Sequence, residues 1–203
     1  MDGYYHWGPY LHKVSVREEV CNELLERALR SRSDHSANLA GVIQGEFLLS
    51  EEERRHIELT LQDEFSNYTR ERALYHKEQC LPIAFHIDEA WINIMTAGDF
   101  NPPHSHYGGE ISFVLYLQIP PGLQEEWESN NRSNAGPGSI EFSYGQPDTW
   151  VTTSHVILPA VGDLLIFPAG LIHFVSPFNS GGDRISIAGN VISKLPDVTK
   201  QED

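Results

Sequence analysis

The stretch ISFVLYLQI, Ile111–Ile119, decides the fold class. It is rich in Ile, Val, Phe and Tyr, is too short for a typical buried helix, and is closed by Pro120-Pro121-Gly122. Such a run bounded by a turn signal reads as a strand. Four more runs of this kind flank it: AWINIM (Ala90–Met95), SIEFSYG (Ser139–Gly145), DLLIF (Asp163–Phe167) and RISIAGNVI (Arg184–Ile192). Gly, Pro, Asn and Asp clusters separate them. Short strands at this spacing predict an all-β sandwich or barrel from about residue 84 onward. The polar stretch Glu125–Gly138 reads as a mobile loop.

Upstream the periodicity is helical. Residues 1–13 are aromatic and irregular. Ser15-Val16-Arg17-Glu18 has the form of a capping box with Ser15 as N-cap, followed by Val20, Leu24, Leu25, Ala28 and Leu29 at helical spacing. Ser31–Gly41 reads as a polar loop. A second box, Ser50-Glu51-Glu52-Glu53, opens one long helix with Ile57, Leu61, Phe65 and Tyr68 on a single stripe, ending at Cys80-Leu81-Pro82. The fold class expected is α+β, mainly β with a helical N-terminal part. No linker separates the halves, so residues 1–203 form one domain, with 1–83 as helical support and 84–195 as the β core.

The chain carries 14 basic and 29 acidic residues, a net charge of −15. Such a surface repels phosphate backbones and anionic lipid, so neither nucleic acid nor a membrane is expected as partner. No apolar run is long enough for a transmembrane helix. The N-terminus has no basic segment leading into an apolar one, and the protein is expected to be soluble and cytoplasmic. Cys21 and Cys80 both fall in helical segments without a CxxC partner, which argues against a disulfide scaffold or a zinc knuckle.

Chemistry concentrates in NPPHSHYGGE, Asn101–Glu110. In extended chain, residues two apart project to one side, so His104 and His106 can aim at one point. A chance H-x-H is expected roughly 0.5 times in a chain with this many histidines, so the pair alone is weak. Two other features strengthen it. GDLLIFPAGLIHFVSPF (Gly162–Phe178) places His173 shortly after a strand and a Pro-Ala-Gly turn. Arg184 and Ser186 then share one face of a strand, a guanidinium fork beside a hydroxyl, which suits a carboxylate.

Together, H-x-H, then P-x-G-x-x-H, then R-x-S resemble the Fe(II)- and 2-oxoglutarate-dependent oxygenases. Within them the chain is most similar to a small bacterial and phage group, through FNPPHSH, SFVLYL, IFPAGLIH and RISIAGN. The resemblance covers about residues 85–195 and implies a double-stranded β-helix, or jelly roll. It also implies a hydroxylase that uses Fe(II), 2-oxoglutarate and O2, releasing succinate and CO2, with a small molecule or peptide as substrate. By position, His104 matches the first metal ligand and His173 the distal one. Arg184 and Ser186 match the pair that holds the distal carboxylate of 2-oxoglutarate. Tyr116 and Asn93 match strand positions beside the same cosubstrate.

One departure from the family pattern stands out. The common facial triad has two His and one carboxylate, with Asp two residues after the first His; here that place is His106. Either His104, His106 and His173 form the centre, or Glu110 supplies a carboxylate as an alternative or fourth ligand. The spacings Gly98–Glu110 and Gly162–His173 also fit the cupin motifs, so a cupin-type metalloenzyme that does not use 2-oxoglutarate is one alternative. A non-catalytic, metal-stabilised β-barrel is another. Leu115, Leu117, Leu165, Phe167 and Val175 are candidates to line or back the cavity, and Gln124–Gly138 is a candidate lid. The N-terminal helices either brace the barrel or form a homodimer contact; the sequence leaves both open.

Overall fold

A computed structural model describes residues 8–31, 33–43, 45–80, 84–130 and 136–194. The strands are β1 (His12–Ser15), β2 (Ser33–Asp34), β3 (Gly45–Leu48), β4 (Ala84–Met95), β5 (Asn101–His104), β6 (Ile111–Gln118), β7 (Ile140–Ser143), β8 (Ser154–Ile157), β9 (Asp163–Pro168), β10 (Ile172–Val175) and β11 (Arg184–Lys194). The helices are α1 (Glu18–Ala28), α2 (Glu51–Thr60), α3 (Gln62–His76) and α4 (Leu123–Ser129). Two antiparallel sheets result, one of seven strands in the order β1-β9-β6-β11-β4-β3-β2 and one of four in the order β5-β10-β7-β8. They make a jelly-roll core flanked by helices. No helix among the described residues is long and apolar enough to cross a membrane.

The large sheet is covered on both faces, which explains why β6 lacks a polar side. Ile111, Phe113, Leu115 and Leu117 pack with Leu24, Ile57, Leu61, Phe65 and Tyr68 of the helical layer. Val114 and Tyr116 turn the other way and pack with Phe142, Phe167 and Val175 between the two sheets. The same alternation runs through β4, where Ile92 joins the helix-side core and Met95 the inter-sheet core. Leu115 and Leu117 are therefore core residues on the helix side and do not line the cavity between the sheets. Phe167 and Val175 do line it.

The N-terminal third departs from the helical reading. β1 pairs with β9, from His12 opposite Ile166 to Ser15 opposite Asp163, and β3 pairs with β4. Strand pairing therefore claims Ser15, and Val16 N–H continues it to Gly162 O at 2.8 Å. Gly162 permits this approach, since a Cβ there would lie 2.7 Å from Val16 O. Helix α1 accordingly starts at Glu18 with Arg17 as N-cap and no side-chain cap. The Ser50 box forms as expected, with Ser50 Oγ accepting from Glu53 N–H at 3.2 Å.

The long helix is broken at Leu61, whose φ −106°, ψ 14° separates α2 from α3, although Ile57, Leu61, Phe65 and Tyr68 remain on one buried stripe. It ends at His76, where Lys77 takes a left-handed conformation. Cys80 is thus exposed and outside a helix; the Leu81-Pro82 stop lies outside the described residues. Part of the expected mobile loop is ordered as α4, and Glu126 on it accepts hydrogen bonds from Asn179 N–H at 2.9 Å and Ser180 N–H at 2.7 Å. Residues 131–135 of that stretch lie outside the described residues.

Phe65 joins the helical layer to the sheet through an edge-on contact with Phe113, with ring centroids 5.5 Å apart. Phe65→Ala should lower the unfolding free energy by about 3–5 kcal/mol, read from urea denaturation followed by circular dichroism. A loss below about 1 kcal/mol would show that this contact does not anchor the helices.

Candidate metal and cosubstrate site

Three histidines converge at the mouth of the space between the sheets. β5 is an edge strand, which tolerates the two missing N–H donors of Pro102 and Pro103. It sets His104 directly opposite His173 on β10. His106 lies just beyond β5, tied by its N–H to Ala169 O at 2.9 Å. One potential ligand atom from each of the three lies within 4.8 Å of the others. The ring centroids of His104 and His173 are 4.2 Å apart, and those of His106 and His173 are 5.2 Å apart.

Local hydrogen bonds fix the rings. His104 Nδ1 lies 2.8 Å from Pro102 O, and His173 Nδ1 lies 2.9 Å from Leu171 O. A carbonyl can only accept, so each Nδ1 carries the hydrogen and each Nε2 keeps its lone pair. Burial lowers all three affinities for a proton, that of His106 to about 4 and that of His173 to about 3, with His104 an additional influence on both. At neutral pH this is a cluster of three neutral, oriented imidazoles. The donor set fits a divalent transition metal, and the carbonyl contacts are the orienting partners that such ligands usually have.

Glu110 is not part of the cluster. Its backbone is fixed by Glu110 N–H to Val191 O and by Ala169 N–H to Glu110 O, both at 3.1 Å. This turns the side chain outward, where Oε2 accepts from Ser193 N–H at 3.3 Å. Among the described residues, the metal-capable group consists of His104, His106 and His173.

Behind the histidines lies an open cavity, lined among others by Trp91, Asn93, Tyr116, Arg184 and Ser186. Strand register creates this wall. Asn93 stands opposite Ser186 across β4 and β11, and Ser186 opposite Tyr116 across β11 and β6. Directly opposed residues in antiparallel strands share a face, so the three form one row. Arg184, 2% exposed, donates from Nη2 to Tyr116 OH at 3.1 Å and packs with Cζ 4.7 Å from the Tyr116 ring. Nη1 lies 2.9 Å from Met95 Sδ, and Nε has no hydrogen-bond partner among the described residues. A guanidinium in this position, without a carboxylate beside it, is prepared for an anion.

The structure adds residues that motif spacing did not single out. Trp91, two places before Asn93 on the same face of β4, packs against His106 with centroids 5.7 Å apart. Asn101 and Ile43 also line the cavity. Glu46 on β3 stands opposite Asn93 and extends the polar row by one strand. It is 1% exposed, and neither carboxylate oxygen has a hydrogen-bond partner among the described residues.

Comparison with known proteins agrees with this geometry. The family described as "Putative 2OG-Fe(II) oxygenase" matches residues 89–190. The chain belongs to this family. Its cofactors are therefore Fe(II) and the cosubstrates 2-oxoglutarate and O2, and the matched segment contains His104, His106, His173, Arg184 and Ser186. The oxygenase is similar in fold to a prolyl-4-hydroxylase from Pseudomonas putida, at 17% identity and a TM-score of 0.57, covering 91% of this chain and 93% of that one. It is similar to the viral collagen prolyl hydroxylase of Paramecium Bursaria Chlorella virus-1, solved as a 2OG complex, at 14% identity and a TM-score of 0.56, covering 93% and 98%. A third similar structure is the alpha ketoglutarate-dependent epimerase SnoN from nogalamycin biosynthesis, at 12% identity and a TM-score of 0.57, covering 90% and 78%. A comparison with curated protein sequences gives no match.

Burial, followed by the nearby Asp34 and Asp99, pushes the Glu46 carboxyl up from its ordinary 4.5 to about 7. Between those values the folded chain holds a proton that the unfolded chain has lost, so stability falls as pH rises through this window. Above pH 7 the penalty is on the order of 3 kcal/mol. Glu46→Gln should therefore stabilise the oxygenase at pH 8 and have a much smaller effect near pH 4.5, as read from urea denaturation at both pH values. Equal effects at the two would rule out a buried, unmatched carboxylate.

Proposed function

We propose that this oxygenase hydroxylates an organic substrate, coupled to conversion of 2-oxoglutarate to succinate and CO2, at a centre held by His104, His106 and His173. The observation that carries the reading is the placement of Arg184. Its buried guanidinium, with no counter-ion beside it, shares one cavity with the three imidazoles. That arrangement suits a short dicarboxylate, one end toward the histidines and the other on Arg184.

The residues divide the work as follows. His104 and His173 present Nε2, held by the Pro102 and Leu171 carbonyls, and His106 completes the face from beyond β5. Iron bound there supplies O2 activation and the oxidising power for a C–H bond. Arg184 takes the distal carboxylate of 2-oxoglutarate, with Ser186 beside it on the same strand face. Tyr116 orients Arg184 through its hydroxyl and ring, and Asn93 offers its amide from the neighbouring strand. Phe167, Val175 and Ile140 form the apolar wall that limits water around the reacting groups. Three neutral ligands leave the metal its full +2 charge, whereas a carboxylate ligand would reduce it to +1. The dianionic cosubstrate then provides the compensating charge.

A small molecule or peptide is the substrate class that suits an open, largely apolar cavity with a few convergent polar groups. The net charge of −15 disfavours a nucleic acid, and we place the enzyme in the cytoplasm. A cupin-type reading without 2-oxoglutarate leaves the Arg184–Tyr116 pair without a task.

Calorimetry with Ni(II) in place of Fe(II) should show 2-oxoglutarate binding that requires the metal. Arg184→Ala should weaken it by roughly 10- to 100-fold, the loss of a charge-assisted pair. His173→Ala should abolish metal retention while circular dichroism shows a folded protein. With Fe(II) and ascorbate, slow uncoupled formation of succinate is expected. Metal-independent binding, or an Arg184→Ala variant that binds as the wild type does, would overturn the assignment.

A further inference from the structure

Four buried oxygens on β3, β4 and β5 have no hydrogen-bond partner among the described residues: Oε1 and Oε2 of Glu46, Oδ1 of Asn93 and Oδ1 of Asn101. The backbone explains why they gather. Glu46 and Asn93 are directly opposed across β3 and β4. The segment leading to β3 runs along the start of β5, with Val42 N–H bonded to Phe100 O at 2.9 Å. Gly41 lies over the Glu46 carboxylate, where a Cβ would sit 2.6 Å from Oε1 and 2.8 Å from Ile43 Cδ1. Asn93, Asn101 and Ile43 line the cavity, and Glu46 is the residue directly opposed to Asn93 on the next strand.

The neighbouring acids are differently placed. Asp34 accepts from Ser36 N–H at 3.0 Å and Ser36 Oγ at 2.8 Å. Asp99 accepts from Thr96 N–H at 2.8 Å and Thr96 Oγ1 at 3.2 Å. Both serve local turns, whereas Glu46 serves none. A carboxylate kept in this state destabilises the fold, and the fold makes no use of it. The cosubstrate cannot be its partner, because the oxygens of 2-oxoglutarate are also acceptors and carry the same sign of charge. What is missing is a group with several N–H donors and positive charge.

We propose that Glu46, with Asn93 and Asn101, forms a cation subsite, and that the primary substrate presents an ammonium or guanidinium group to it. The inference rests on the reading of the cavity as the oxygenase active site, and it adds the chemical class of the substrate. Glu46 supplies the charge, while the amides supply direction. The acidic surface of the chain works in the same sense, raising the local concentration of cations near the mouth. Substrates bearing a basic side chain or a small amine are thereby favoured over neutral analogues of the same shape.

The test uses two probes of matched shape, butylguanidinium and neutral butylurea, titrated calorimetrically into the full chain with and without Ni(II) and 2-oxoglutarate. Butylguanidinium should bind saturably and at least about 10-fold more tightly than butylurea, a difference of about 1.4 kcal/mol. In Glu46→Gln that preference should disappear. Equal binding of the two probes, binding of neither, or a preference that survives Glu46→Gln would overturn the proposal. The wild-type comparison decides even if the variant fails to fold. Affinity for 2-oxoglutarate is read in the same samples. Its absence alongside an intact cation preference would count against the metal and cosubstrate assignment, and the converse would count against Glu46.

Discussion

The site depends on the register of one central strand. β11 is paired on both sides, to β4 and to β6, and must serve two interiors at once. Ile185, Ile187 and Val191 enter the helix-side core, while Arg184, Ser186 and Ala188 line the cavity. A slip of one residue would exchange the two sets. It would drive a guanidinium among Leu24, Ile57 and Phe65 and place isoleucines where the anion belongs. The apolar requirement of the helix side therefore enforces the polar arrangement on the other side. Asn93 and Tyr116 follow because they are the residues directly opposed to Ser186.

Charge is arranged along the cavity as deliberately as shape. At neutral pH the metal cluster consists of neutral imidazoles, and the polar wall of the cavity carries the guanidinium of Arg184. With the metal bound, both ends of the cosubstrate path are positive, matching a dianion. Glu46 lies on the β3 flank of the same row, separated from Tyr116 by Asn93 and Ser186. Its carboxylate is thus left over once the cosubstrate is accounted for. On the proposals made above, a histidine at position 106 and a carboxylate at position 46 separate two tasks, metal and cosubstrate binding on one side and recognition of a cation on the other.

How much of this was legible in the sequence follows from what each signal encodes. The pairs His104 with His106 and Arg184 with Ser186 could be read because residues two apart in a strand share a face, whereas His173, on a distant strand, joined them through the family resemblance. Glu110 could not, since the H-x3-E interval is silent about backbone direction. The hydrogen bonds to Val191 and Ala169 turn that side chain away. The capping box at Ser15 failed for a related reason. A local helix signal competed with pairing to β9, nearly 150 residues distant, and the pairing won. β3 was missed because it is four residues long and opens with a glycine, and its order comes from β4. Glu46 was missed with it. On its own it is an ordinary glutamate, and it becomes unusual only once register places it next to Asn93 with no donor to either oxygen among the described residues.

The division of the chain between these tasks has a consequence for specificity. The family match spans residues 89–190 and contains every residue assigned here to the metal and to 2-oxoglutarate. Ile43 and Glu46 lie outside it, on the N-terminal segment that adds β3 to the edge of the large sheet. The cosubstrate machinery is thus fixed by strands in the interior of the sheet, where a change of residue disturbs two neighbours. In the proposed cation subsite, Glu46 lies two strands out from β11, on β3, whose outer neighbour is the two-residue β2. A position outside the strands that carry Arg184 and the histidines is suited to a residue that selects the substrate, because it can vary while those strands keep their register. On this proposal the N-terminal third is more than a brace for the barrel: it brings Ile43 to the cavity and sets the Glu46 carboxylate opposite Asn93.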